Sequence, residues 1–281
     1  MSGLKLLRNR IKSVKSTQKI TKAMRMVSAA KLHRAKDAAS FASIYRQKIK
    51  EILSASKSSI DYSELSPLGK SILYSREEYD QTILIINGSD RGLCGAFNSA
   101  LYRKFRLEYQ KYKNIKTIVI GKKISELVAK HVDINLQISA AEDYSEISKK
   151  VREFIISEIE VNPSTRVVAY FTIFKNALTQ IPCAANLIPV EDKEDGSSSM
   201  NVEFEGDNLI EKLTNLYLES NLMANLYESK ASEEASRMTA MDNASKNAGE
   251  MIERLTLKMN RTRQAQITKE LIEVISGAEA V

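Results

Sequence analysis

All four prolines of this chain, Pro67, Pro163, Pro182 and Pro189, fall between residues 67 and 189. Proline removes a main-chain donor and collides with the preceding turn, so its absence from both ends leaves them free to run as long helices. The apolar spacing takes up that freedom. Near the N-terminus Leu4, Leu7, Ile11 and Val14 step by three and four; Ile20, Met24 and Val27 resume, and Phe41, Tyr45, Ile49 and Ile52 finish the run. Between Val27 and Phe41 the inward positions are mostly alanine. At the other end a longer series stays in step, from Leu209 and Leu213 through Ala231, Ala235, Met241 and Ile252 to Ile267, Leu271 and Val274. One helix over 208–276 would extend roughly 100 Å at about 1.5 Å per residue, beyond a globular domain's diameter. Its apolar stripe needs a partner helix, and the first helix, paired antiparallel, is the obvious one. Shorter helices packed as a bundle are the alternative, but no turn chemistry within 208–276 supports them.

The middle of the chain changes period. "TILIIN" (82–87), "KTIVIG" (116–121) and "RVVAYFTIF" (166–174) are short β-branched runs, separated by helical stretches at 97–112, 122–131 and 144–159. Strand and helix in alternation predict a mostly parallel sheet with helices on its faces, a Rossmann-like arrangement. "CAANLIPV" (183–190) adds a further strand, and "EDKEDGSSSMN" (191–201) reads as a surface linker. The expected fold class is α/β: a long antiparallel coiled coil of the N- and C-terminal helices, 1–57 and 202–281, with a central α/β domain at 58–201.

The net charge of +7 is unevenly spread. Residues 1–57 hold fifteen Lys and Arg against Asp37 and Glu51; 58–207 hold eighteen against twenty-two acids, and 208–281 nine against eleven. The basicity belongs to the first helix, which should face something negative. Cys94 and Cys183 are the only cysteines, far apart and without neighbouring His, so neither a disulfide framework nor a metal site is expected, and the default compartment is reducing. No apolar run approaches the roughly 20 residues that cross a bilayer, and the N-terminus lacks the apolar stretch of a secretory signal.

"NGSDRGLCGAFN" (87–98) follows a strand and opens a helix, where phosphate-binding loops sit. Gly88, Gly92 and Gly95 fit neither the dinucleotide fingerprint nor the P-loop, so the glycines are read as shaping a tight turn with Asp90 and Arg91 at the surface. His33 and His131 have no ligand or triad companions, and no nucleophile–base pair stands out; catalysis by this chain and a bound cofactor are not expected. The basic helix admits three readings: a nucleic-acid-binding segment, a transit-type segment, or one strand of a coiled coil whose outer face meets acidic protein partners.

"IKSVKSTQKITKAMRMVSAAKLHRAK" (11–36) resembles the N-terminal helix of the γ subunit of F-type ATP synthases, and "ITKELIEVISGAEA" (267–280) resembles that family's C-terminal signature. "SDRGLCGAFN" (89–98) is similar to a stretch of its central domain. The resemblance implies a rotor shaft in the centre of a ring of three α and three β subunits. Its foot would stand on the membrane ring of proton-carrying c subunits, near the ε subunit, on the cytoplasmic face of a bacterial inner membrane. Catalysis would belong to β. Met24 and Arg25 would face an acidic β loop, with Arg237, Arg263, Gln264, Thr268 and Glu270 contacting β near the upper shaft. Tyr45, Phe204 and Glu205 would lie at the c ring. A basic nucleic-acid-binding protein with a coiled-coil arm is the alternative.

Physical sense follows from that implication. Alanine at the waist lets two helices approach closely, giving a narrow shaft, and exposed ion pairs contribute only about 0–1 kcal/mol each, so a basic face can be gripped and released repeatedly. Two unlike helices would let orientation bias three surrounding sites differently.

Overall fold

The computed structural model describes residues 2–56, 62, 65–190 and 209–279. In chain order the elements are α1 (Ser2–Ser56), α2 (Pro67–Leu73), β1 (Gln81–Asn87), α3 (Phe97–Glu108), β2 (Ile115–Ile120), α4 (Lys122–Val128), β3 (Leu136–Ile138), α5 (Tyr144–Val161), β4 (Thr165–Phe174), β5 (Gln180–Ile188) and α6 (Leu209–Glu279). They form two compact units: Met1–Ser28 with Met238–Val281, and Ala29–Arg237.

In the larger unit the five strands make one sheet in the order β3-β2-β1-β4-β5. β1 pairs parallel with β2 and β4, β2 parallel with β3, and β5 antiparallel with β4. Every residue of β1 is buried, as expected of a central parallel strand covered on both faces. Ile83, Ile85, Ile118 and Ile120 point to one face, where they meet α2, α5, Ile49 and Leu53 of α1, and Leu218 and Leu222 of α6. Leu84, Ile86, Val119 and Tyr170 point to the other, against Leu101 and Phe105 of α3 and Ile124 and Val128 of α4. Both terminal helices thus share a sheet face with α2 and α5.

Two elements escaped the sequence reading. α2 opens with Ser66, whose hydroxyl accepts from Gly69 N at 3.2 Å, and with Pro67 at the first helical position. That is a standard start signal, hidden by the shortness of the helix. β3 has three residues, too few to show a period. The helices expected over 97–112 and 122–131 stop earlier, at Glu108, followed by a 3-10 turn at Tyr109–Lys111, and at Val128.

The stripe of α1 also differs from expectation. Ile20 (57 % exposed), Val27 (55 %), Phe41 (76 %), Tyr45 and Ile52 face outward. Apart from the expected Met24, which is half-buried, the buried and half-buried positions of α1 in the smaller unit are Leu4, Leu7, Ile11, Val14, Gln18, Thr21, Arg25 and Ser28; in the larger they include Leu32, Ala35, Ala39, Ala42, Arg46, Ile49 and Leu53. Steps of three and four alternate throughout, a 3.5-residue repeat that keeps one line of side chains against a partner. Continuing from Val14 at that repeat lands on Gln18 and Thr21; the apolar residues at 20 and 27 lie off the line. Polar and small side chains occupy the inward positions there, so hydrophobicity alone points to the wrong face.

Within the smaller unit α6 runs antiparallel to α1, with Gln18 Nε2 donating to Ser245 O at 3.3 Å and Arg25 reaching Asp242. By that register Ser2 lies level with about residue 261, at equal rise along both helices. Beyond it α6 has no α1 partner, which explains why Ile267, Leu271 and Val274, expected on the paired stripe, are 53 %, 56 % and 72 % exposed. Leu209 and Leu216, also expected there, lie at the edge of exposure in the larger unit.

Candidate functional site

The 3.5-residue repeat places Arg25 on α1 beside Asp242 on α6, Nη1 to Oδ1 3.3 Å, while Lys246 Nζ lies 2.7 Å from Asp242 Oδ2. The hydrogen bond from Lys246 is the largest effect on the Asp242 carboxyl and, with the Lys246 and Arg25 charges, holds it below its ordinary value against desolvation. Arg25 and Asp242, with Gln18, Lys19, Lys22 and Ser245, line an open polar groove of about 410 Å³. Three cations border it against one carboxylate, so its free capacity is for an acidic group. Met24 is half-buried beside it.

On the distal part of α6, Arg263, Gln264, Thr268 and Glu270 are all exposed. Thr268 Oγ1 donates to Gln264 O at 3.0 Å, and Glu270 accepts from Gln266 Nε2 at 2.9 Å. Arg263 makes no ion pair among the described residues. Its guanidinium and the Gln264 amide are neighbours on an exposed helix with donors to offer.

Arg237, in the larger unit, is placed differently: it is 7 % exposed. Its guanidinium binds Glu233 in a short hydrogen bond and Glu234 through Nη1 at 3.1 Å, and Lys230 reaches the same two carboxylates at 3.0 and 3.3 Å. Burial alone would lower the Arg237 pKa, but the two carboxylates outweigh it and the group sits above its ordinary value. The two cations match the two acids, so removing either side would leave buried charge uncompensated. Tyr45 is half-exposed on α1, with Phe41 and Ile44 (60 % exposed) on the same outer face. Phe204 and Glu205 lie outside the described residues. The structure thus groups Arg25 with Asp242, groups Arg263 with Gln264, Thr268 and Glu270, and sets Arg237 apart.

The loop after β1 is built on positive φ at Leu93 and Gly95. A Cβ on Gly88 would lie 2.5 Å from Ile124 Cβ, so only glycine lets β1 pass that close to α4. Asn98 locks the turn, accepting from Ser89 N at 3.0 Å and donating to Ser89 Oγ at 2.7 Å. Arg91 is exposed as expected, whereas Asp90 is half-buried. It accepts from Lys122 N at 2.9 Å and from Ser139 Oγ at 2.7 Å, capping α4, a role that no spacing rule reveals. Burial raises its pKa, but these hydrogen bonds, with those from the Ala140 and Ala141 amides, more than reverse that and leave it below the ordinary 3.8.

Open α/β sheets bind ligands where neighbouring strands leave in opposite directions, here at the C-terminal ends of β1 and β4. In this chain α6 fills that crevice. Ser229 Oγ donates to Asn87 O (3.1 Å), Ser232 Oγ to Thr172 O (2.9 Å) and Ser236 Oγ to Cys94 O (2.6 Å), while Glu228 accepts from Phe174 N (3.0 Å). Ser229, Ser232 and Ser236 alternate steps of three and four, so one helix face supplies all three hydroxyls. Sequence reasoning missed them because serine on a helix usually signals solvent. Burial pushes the Cys183 thiol up to about 11, which keeps it protonated and unreactive near neutrality. Among the described residues no cluster of His, Cys, Asp and Glu could hold a metal, and no helix is long and apolar enough to cross a membrane.

Two long terminal helices that pack on each other and on a Rossmann-like sheet, with α6 filling the sheet's ligand crevice, define a structural, helix-presenting protein, with no assembled catalytic constellation among the described residues. The family model described as ATP synthase matches residues 3–281, and the chain belongs to that family. The ATP synthase gamma chain of Rickettsia felis is 42 % identical over 291 residues, covering all of both chains. That of Jannaschia sp. is 39 % identical over 305, again with full coverage. Among solved structures, a chain of the central stalk and c ring of the Tetrahymena thermophila mitochondrial ATP synthase superposes with a TM-score of 0.57 at 25 % identity, over 80 % of this chain and 99 % of that one. A chain of the Euglena gracilis mitochondrial ATP synthase, at 17 % identity, shares the fold with a TM-score of 0.66 over 99 % and 94 %.

Proposed function

We propose that this chain is the central-stalk rotor subunit of a proton-translocating F-type ATP synthase, non-catalytic itself, coupling proton flow through a membrane ring to conformational change at β-subunit catalytic sites. The observation that carries the reading is the end-to-end relationship with gamma chains, joined to an antiparallel α1–α6 pair whose inward line is kept at one repeat. The division of labour we infer follows 1–57 and 202–281 as the two arms and 58–201 as the domain between them.

The partners proposed are three α and three β subunits around one copy of this chain, an ε subunit and the c ring, at the cytoplasmic face of the inner membrane. Acidic β loops fit the basic groove beside Met24 and Arg25, where Asp242 leaves cationic capacity unused. Arg263 and Gln264, exposed with Thr268 and Glu270, suit hydrogen bonds to β that are made and broken as the shaft turns. Arg237 would meet β only by leaving Glu233 and Glu234, so its proposed contribution to that contact is through the placement of α6. Tyr45, with Phe41 and Ile44, offers an apolar outer face for the ring contact, to which Phe204 and Glu205 are also assigned.

The test is co-expression with the α and β subunits of the same genome. A complex containing one copy of this chain, with ATPase activity that depends on it, is expected. Failure to assemble, or equal activity without the chain, overturns the reading.

A further inference from the structure

Asn225 of α6 stands where four elements meet in the larger unit. Its main-chain oxygen accepts from Asn87 Nδ2 of β1 at 3.2 Å, and its Oδ1 accepts from Arg46 Nη1 of α1 at 3.3 Å. Arginine can only donate, so the atom facing it must be the amide oxygen, which fixes the amide orientation and turns Nδ2 the other way. Nδ2 has no hydrogen-bond partner within the protein, and Asn225 is 5 % exposed. Ser148 of α5, 1 % exposed, also has an unpartnered hydroxyl. Both residues line one small cavity, with Asn87 and the apolar residues Ile85, Val151 and Leu222.

The free volume is about 10 Å³. That is close to the roughly 10–15 Å³ a cavity needs to hold a single water. A buried amide or hydroxyl left without a partner keeps its full desolvation cost, so two such groups lining one small space call for a common partner. The partner must accept a hydrogen bond from Asn225 Nδ2 and either donate to or accept from Ser148 Oγ. A water molecule meets both demands; a cation cannot accept from Nδ2, and no charged side chain lines the cavity to hold an anion.

We infer that this cavity is a binding site for one ordered water, bridging Ser148 of α5 to Asn225 of α6. The bridge completes the hydrogen bonding of Asn225, which then ties α5, β1 and α1 to a single turn of α6 at the crevice end of the sheet. The inference does not depend on the rotary role.

The experiment is a structure of the assembled complex, or of the isolated chain if it crystallises, at a resolution that shows ordered water. A peak within hydrogen-bond reach of both Ser148 Oγ and Asn225 Nδ2 is expected, and it should vanish in Ser148→Val, whose methyl groups take the space. Ser148→Ala, which keeps the space and removes one partner, should weaken the peak while the backbone is unchanged. An empty cavity, a direct Ser148–Asn225 bond, or a peak that persists at full strength in Ser148→Val would overturn the inference. The wild-type map decides the matter even if a variant fails to fold.

Discussion

Arg25 of α1 and Asp242 of α6 meet across the helix pair with Nη1 3.3 Å from Oδ1, and both side chains remain partly in solvent. Such a pair positions without binding hard. A double-mutant cycle with Arg25→Ala and Asp242→Ala should give a coupling below about 1 kcal/mol by urea denaturation, shrinking as salt is raised. A coupling several times larger and insensitive to salt would mean that Arg25 is committed to Asp242 and not available to a partner.

In the larger unit the small side chains Ala35 and Ala39 of α1, and Ala231 and Ala235 of α6, are buried. Leucine at Ala235 would add three carbons where none fit. Ala235→Leu is expected to cost about 1–3 kcal/mol in a denaturation midpoint, through displaced neighbours. Unchanged stability would show that the packing there is loose.

Asp90 carries a pH signature. Its folded pKa is depressed below the ordinary 3.8, because burial, the largest single effect, is outweighed by the hydrogen bonds from Ser139 and the Lys122, Ala140 and Ala141 amides together. A carboxyl whose pKa is lower folded than unfolded contributes stability that is fully present above the unfolded pKa and is lost as pH falls through the folded one. Asp90→Asn should therefore lower stability near pH 7 and flatten its decline on acidification below about pH 4, where the unfolded carboxyl titrates. A variant with the wild-type slope in that window would remove Asp90 from the account.

Stiffness is tested by proline. Ala30 and Met259 both lie inside long helices, α1 and α6. Proline in a helix interior costs about 3 kcal/mol and kinks the axis. Ala30→Pro or Met259→Pro should abolish assembly with α and β subunits or uncouple ATP synthesis from proton flow in vesicles. Normal coupled synthesis in either variant is incompatible with a stiff shaft.

Turnover and stability separate at Arg263 and Gln264, which are exposed on the unpaired end of α6. The paired change to alanine should shift melting little, since exposed helix residues contribute within about ±0.5 kcal/mol, while reducing ATPase turnover of the complex several-fold. Equal losses in both would make them ordinary helix residues.

The sequence by itself determined the two terminal helices, through the confinement of proline to 67–189 and a sustained apolar repeat. It also determined the alternation of strand and helix between them, and, through the segments at 11–36 and 267–280, the family. Tertiary structure decided which face of α1 points inward. A helix line that runs through Gln18, Thr21, Arg25 and Ser28 is set by the register with α6, and outward residues such as Ile20 and Val27 are more apolar than the inward ones. Tertiary structure also decided what occupies the crevice of the sheet. Ser229, Ser232 and Ser236 find their partners at Asn87, Thr172 and Cys94, between 60 and 142 residues away, and hydrogen bonds over such separations leave no local pattern in the chain. Local periodicity fixes an element because neighbouring residues share its geometry; the surface it meets depends on groups that only folding brings within reach.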